Sequence, residues 1–276
     1  MEWVDRMNQA ISYVEEHLCD EIDPGEISRI MACPYGIFQR FFIQCTDVPL
    51  SEYIRRRRLT CAAYEVQHSG AKIVDIAVKY GYDSSDAFSA AFKRMHGMAP
   101  AMARQPETKL KFYSRLHFTL SIRGVAEMNY RNVERESFKV IGRRRITPSG
   151  GGTWELCKQD GSLENLLAAG QGSPLLGVCF GFDDEGNNDY MVAAEYRQED
   201  LPDFESFTFP PSSWLVFEAS GAISSHALGS TWKRIYGEFL PQSDYRQSNL
   251  PTIETYHDWD QNADFCKVDI WIPLEK

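Results

Sequence analysis

The 276-residue sequence has no run of eighteen apolar residues, so no stretch of it reads as a bilayer-crossing helix. It also lacks a charged-then-apolar leader. An amphipathic helix begins almost at once, with Trp3, Met7, Ala10, Ile11, Val14 and Leu18 on one face. The expectation is a cytoplasmic protein with no membrane partner. The seven cysteines (Cys19, Cys33, Cys45, Cys61, Cys157, Cys179, Cys266) are odd in number, scattered and free of any C-x-x-C pair, which argues for reduced thiols rather than a disulfide framework. The six histidines (His17, His68, His96, His117, His226, His257) show no metal-ligand spacing, so no metal is expected. Gly150-Gly151-Gly152 lacks the lysine of a phosphate-binding loop and reads as a flexible turn before a helix at Thr153. No cofactor is expected. No apolar heptad run is sustained, which leaves a monomer as the default.

Positive charge is scarce too, with 29 basic against 39 acidic residues and a net charge of −10. The deficit is local. Residues 1–105 carry 12 basic and 14 acidic groups, 106–147 carry 10 and 4, and 148–276 carry 7 and 21. A basic face anywhere in the first half would suffice for a polyanion, and a distant acidic region need not oppose it.

What is present begins with a repeat. Ile73, Ile76, Ala77 and Tyr80 fall at i, i+3, i+4, i+7, Gly81 can end that helix, and Phe88, Ala91, Phe92 and Met95 repeat the spacing. Between them Tyr82 supplies an aromatic plug, and Asp83, Ser84 and Ser85 supply capping oxygens. Fifty positions earlier, Phe38, Phe41, Phe42 and Cys45 show the same spacing, after Ile27, Ile30, Met31 and a turn at Ala32–Pro34. The spacing predicts two helix-turn-helix units, each with a second helix able to enter a DNA major groove.

On these residues, together with Gln39-Arg40-Phe41-Phe42, the run Pro49 to Leu59, and Ile76-Ala77 through Gly81-Tyr82 to Phe92-Lys93, the first hundred residues resemble the DNA-binding domain of the AraC/XylS family of bacterial transcription regulators. The resemblance implies an all-α reader over 1–106, with double-stranded DNA and RNA polymerase as partners. In the first recognition helix Tyr35, Gly36, Gln39 and Arg40 would face outward. Gln39 can pair bidentately with adenine and Arg40 with guanine. In the second, Ser85, Asp86, Ser89, Lys93 and Arg94 would face outward and mainly position the duplex through phosphates. Leu50 to Gln67 reads as one long spacer helix of roughly 27 Å. Its Arg55–Arg58 run points in all directions, so one or two members would meet phosphate and the rest would be solvated or paired.

Residues 107–127 form a basic connector whose alternation at Phe118, Leu120 and Ile122 suggests an extended segment docked on a domain. From Met128 the period becomes two. Strands are predicted at 128–134, 138–146, 175–182, 189–196, 204–210, 213–220, 251–259 and 265–273, with helices over 153–169 and 224–240. The fold class is therefore multidomain: a double helix-turn-helix region followed by an α+β domain, 128–276, built as a duplicated strand-strand-helix-strand-strand antiparallel sheet with a pseudo-twofold groove. The motif SWLVFEASG, Trp232 and the terminal PTIETYH and VDIWIPL resemble the GyrI-like small-molecule-binding domain. The resemblance implies a small-molecule effector and a ligand-binding role for Glu254. A carboxylate among Tyr256, Trp214, Trp232 and Trp271 would suit a lipophilic cation. The reading is a one-component regulator without enzymatic activity. Its alternative is a small-molecule hydrolase or sequestering domain that uses Glu254, with Tyr256 assisting, tethered to the DNA-binding module.

Overall fold

The structure, a computed structural model, describes residues 2–105, 107–119, 127–183, 185–196, 203–222, 226–257 and 265–275. The chain forms two compact units that do not simply follow chain order: one contains Met1–Tyr35 and Val48–Ser121, the other Gly36–Asp47 and Ile122–Lys276.

The first unit is helical. Helices α1 (Glu2–Glu16) and α2 (Pro24–Met31) precede α3 (Tyr35–Thr46), all but the first residue of which belongs to the other unit; α4 (Leu50–His68), α5 (Ile73–Lys79) and α6 (Ser85–His96) follow. Local chemistry fixes the ends. Asp23 accepts from Gly25 N at 2.7 Å with Pro24 in the first turn of α2, and Ser84 accepts from Ala87 N at 3.1 Å to cap α6. Helix α5 ends at Gly81, whose φ of +78° lets Tyr82 N bond back to Ala77 O at 3.0 Å. The earlier copy makes the same turn with Ala32 at φ +50°, and Cys33 N reaches Ser28 O at 3.3 Å. Leu59, Val66, Ile76, Ala77, Phe88 and Phe92 fuse α4, α5 and α6 into one core. Burial of each of the larger side chains contributes about 1.5–3 kcal/mol.

The Arg55–Arg58 run is committed within this unit. Arg55 and Arg56 both pair with Glu52, Arg57 grips Glu15 with Nε and Nη2 at 2.8 Å each, and Arg58 donates to the carbonyls of Leu18 and Asp20. Arg57 and Arg58 brace α4 against its neighbours, whereas Arg55 and Arg56 keep 41% and 34% of their side chains exposed beside Glu52. The described part of the connector, 107–119, runs as a strap held by side chains. Lys111 N donates to His96 Nδ1, Tyr113 N to Thr60 Oγ1, Leu116 N to Tyr53 Oη and Phe118 N to Asn8 Oδ1, at 2.9–3.3 Å. Leu120 and Ile122, expected to continue the alternation, lie outside the described residues.

The second unit holds the eight strands: β1 (Tyr130–Arg135), β2 (Phe138–Thr147), β3 (Leu175–Phe182), β4 (Asn188–Glu195), β5 (Glu205–Phe209), β6 (Ser212–Gly221), β7 (Thr252–His257) and β8 (Cys266–Pro273). Their order is β1-β6-β8-β7-β3-β4-β2-β5, with every pairing antiparallel. Advancing each strand of the first half by four reverses this order onto itself. The duplication therefore has a pseudo-twofold axis between β3 and β7, with the leading strands of the two halves exchanged at the edges. The helix expected over 153–169 is two, α7 (Gly150–Gln159) and α8 (Ser162–Ala169), because Gly161 turns left-handed at φ +74° and Ser162 N bonds the Asp160 carboxylate. Gly150-Gly151-Gly152 form the first turn of α7 rather than a flexible loop. A β-carbon on Gly150 would stand 2.9 Å from the Tyr190 ring, so its absence lets the helix sit close to the sheet. Helix α9 (Ala227–Arg234) continues into a π turn, Ile235–Phe239, and a 3-10 turn.

Candidate functional site

Glu254 lies on β7 beside the pseudo-twofold axis, opposite Gly177 of β3. It is 9% exposed, and its carboxylate is fully engaged by uncharged donors. Tyr190 Oη and Tyr256 Oη donate to Oε2 at 2.5 and 2.9 Å, and Trp232 Nε1 donates to Oε1 at 2.7 Å. Trp154 Nε1, on α7, donates to Tyr190 Oη at 3.2 Å and so orients that hydroxyl toward the carboxylate. Burial and the neighbouring Glu254 charge push the Tyr190 phenol well above its ordinary value, so it remains a proton donor. None of the described cations forms an ion pair with Glu254. Around it lies a cavity of about 390 Å³, whose walls include Trp154, Tyr190, Trp232, Thr252 and Tyr256 from the sheet and its helices, and Arg40 and Gln44 from α3. A buried anion hydrogen-bonded by neutral donors, in a cavity with aromatic walls, is suited to receive a positive charge.

Of the residues expected here, Glu254, Tyr256 and Trp232 come together, whereas Trp214 and Trp271 do not. Trp271 pairs with Ile253 and Val216 across the ladders, which puts it on the sheet face opposite Glu254. Trp214 lies on that same face, fully buried with Phe138 and Phe209, and meets Trp271 edge-on at 6.1 Å. The expected aromatic cage is thus corrected to Trp154, Tyr190, Trp232 and Tyr256. Tyr190 and Trp154 carry a sequence signal: the alternation Tyr190, Val192, Ala194 marks one face of β4, and Trp154 opens the helix that covers it.

The DNA-binding candidates are placed unequally. On α6, Asp86, Lys93 and Arg94 are exposed and Ser85 and Ser89 half-buried. On α3, Gly36 is exposed, Tyr35 and Gln39 are half-buried, and Arg40 is 6% exposed. Arg40 was expected to point outward, and the structure corrects this. Ile37, Arg40, Phe41 and Gln44 stand at i, i+3, i+4, i+7 and form a second covered face beside the Phe38–Phe42 stripe. Phe41 packs edge-on against Tyr236 at 4.7 Å, and Arg40 Nη2 donates to Cys179 O at 3.3 Å.

Among the described residues no group of three or more histidine, cysteine or carboxylate side chains is arranged to hold a metal, and no helix is long and apolar enough to cross a membrane. Cys19, Cys33, Cys45, Cys61, Cys157 and Cys179 are free thiols.

Residues 128–275 match the GyrI-like small molecule binding domain, and residues 27–106 match a helix-turn-helix domain. The HTH-type transcriptional activator AarP of Providencia stuartii is 32% identical over 102 residues, covering 37% of this chain and 76% of that protein. The uncharacterized HTH-type transcriptional regulator YbfP of Bacillus subtilis is 32% identical over 98 residues, 36% of this chain but 33% of that protein. The structure of SAV2435 bound to tetraphenylphosphonium is similar at a TM-score of 0.47 and 23% identity, over 54% of this chain and 94% of that one. The chain belongs to the AraC-type helix-turn-helix transcription regulators that carry a GyrI-like small-molecule-binding domain.

Proposed function

We propose that this regulator senses a lipophilic cation at Glu254 and reads DNA with its two helix-turn-helix units, acting on transcription through RNA polymerase. The observation that carries the reading is the buried Glu254 carboxylate, held by Tyr190, Tyr256 and Trp232 and without an ion pair among the described residues, in a cavity with aromatic walls. An incoming cation gains Coulomb attraction in a low-dielectric site and cation-π contact with the rings. The same geometry argues against Glu254 as a general base, because three donors already occupy its two oxygens. At the DNA end, exposed Lys93 and Arg94 suit phosphate contacts, and the half-buried Gln39 carries an amide suited to a base edge.

The test is titration of the full chain with tetraphenylphosphonium, followed by tryptophan fluorescence from Trp154 and Trp232. Glu254→Gln keeps the shape and removes the charge, and should weaken binding roughly 10–100-fold, the usual range for losing a charged partner, while DNA binding persists. Equal affinity in the two proteins would dispose of the charged-pocket reading.

A further inference from the structure

Arg40 and Glu254 line the same cavity, both are buried, and neither forms an ion pair among the described residues. Among the described residues the Arg40 guanidinium is held by neutral acceptors, the Cys179 carbonyl and the Tyr236 phenol, and its Nε has no hydrogen-bond partner. A buried guanidinium is costly, and Arg40 and Glu254 are the two formally charged residues among the described ones lining this cavity, where opposite charges attract in a low dielectric. Two further contacts join this helix to the sheet's helices. Phe41 lies edge-on to Tyr236, and the Asp47 carboxylate meets Lys233 Nζ at 2.8 Å, with those side chains 69% and 52% exposed. An exposed pair of that kind adds little.

We propose that Arg40 is the resident cation of the effector pocket, and that a cationic effector bound at Glu254 displaces it and frees helix 36–47 to read bases. This rests on the reading of Glu254 as a cation site and adds what that site controls. The logic is differential binding. With Arg40 seated, a second positive charge in the cavity is repelled, so the effector binds better to the form in which Arg40 has left. Arg40 cannot face a guanine edge while it lies under Cys179, so the effector-bound form is also the one able to use it on DNA. Linkage then requires that DNA containing a site for the first unit raise effector affinity by the same factor that effector raises DNA affinity, typically ~5–150-fold for coupled sites. Effectors without positive charge gain nothing from displacing Arg40.

Three measurements on the full chain test this with tetraphenylphosphonium as the probe. Arg40→Met removes the competing charge and should tighten probe binding at least severalfold, an outcome that a merely structural role for Arg40 would not produce. Amide hydrogen exchange in residues 36–47 should rise when the probe is added to the unaltered protein, and should not rise in Glu254→Gln. Selection from a random duplex pool should give a longer, better-defined recognition sequence with the probe than without it. Glu254-dependent probe binding with no tightening in Arg40→Met and no change in exchange would overturn the proposal and leave the cation site standing. Failure of the probe to bind at all, or binding indifferent to Glu254→Gln, would remove the cation site and this proposal with it.

Discussion

Gly177 leaves the space that the Tyr190 hydroxyl occupies: a β-carbon at position 177 would stand 1.7 Å from Tyr190 Oη and 2.9 Å from Glu254 Oε2. The absence of one side chain on β3 therefore positions the shortest hydrogen bond of the pocket. Gly177→Ala should force Tyr190 off Glu254 and destabilise the protein by ~1–3 kcal/mol, as overpacking usually does. It should also weaken tetraphenylphosphonium binding without altering the pocket's charge. Unchanged urea midpoint and affinity in this variant would mean that Tyr190 repacks freely and that the glycine is incidental.

Ala32 occupies the left-handed position that Gly81 fills in the second unit, with φ of +50° against +78°. An L-residue with a β-carbon pays for this conformation, roughly 1–2 kcal/mol, whereas glycine does not, although glycine gives up more freedom on folding. The balance favours Ala32→Gly, which should raise stability by about 0.5–1 kcal/mol and move the thermal midpoint upward. A lower midpoint would show that the turn holds its shape through contacts other than the cap.

These two cases mark what the sequence can and cannot convey. The helical spacings of Phe38–Cys45 and Phe88–Met95 and the two-residue alternation after Met128 state directly which residues share a face within one element, so both helix-turn-helix units and all eight strands were legible. Glu254 and Tyr256 could be grouped for the same reason, as alternate residues of β7, whereas Trp232 on α9 joins them through the family resemblance. Trp214 and Trp271 were misplaced because alternation says nothing about register between strands, and only the Ile253–Trp271 pairing puts them on the far face. Arg40 was misplaced because its neighbours Ile37, Phe41 and Gln44 form a second stripe next to a stronger one.

His96 ties the strap to α4 in its neutral form, with Nε2 facing Leu59 O at 3.4 Å and Nδ1 accepting from Lys111 N at 3.2 Å. Burial, which outweighs the backbone contact, holds its pKa below the ordinary imidazole value of about 6.5. The unfolded chain then binds the proton more readily than the folded one, so this contribution is complete above about pH 6.5 and declines as pH falls toward the folded value. His96→Gln does not titrate. The urea midpoint of the native protein should therefore fall more between pH 7 and about 5.5 than that of the variant. Parallel declines would mean that His96 protonates without cost.

Glu15 and Arg57 form the most enclosed ion pair of the helical unit, joined by two hydrogen bonds of 2.8 Å, while Tyr53 Oη adds a third donor to Glu15 at 2.6 Å. Burial alone would raise the Glu15 pKa, but the Arg57 and Tyr53 hydrogen bonds outweigh it and hold the carboxyl below its ordinary value. With the folded pKa depressed, this stabilisation is present above about pH 4.3, the unfolded value, and is lost as pH drops through the folded one. Arg57 also donates to Tyr113 O, so losing the pair should loosen the strap as well. Glu15→Gln leaves Arg57 buried without a counter-charge and should cost ~3–5 kcal/mol, with faster amide exchange at residues 111–118. Replacing both partners, Glu15→Gln with Arg57→Met, should recover a large part of that loss, because the unpaired charge is the expensive element. A double variant as unstable as the single one would locate the cost in lost packing instead.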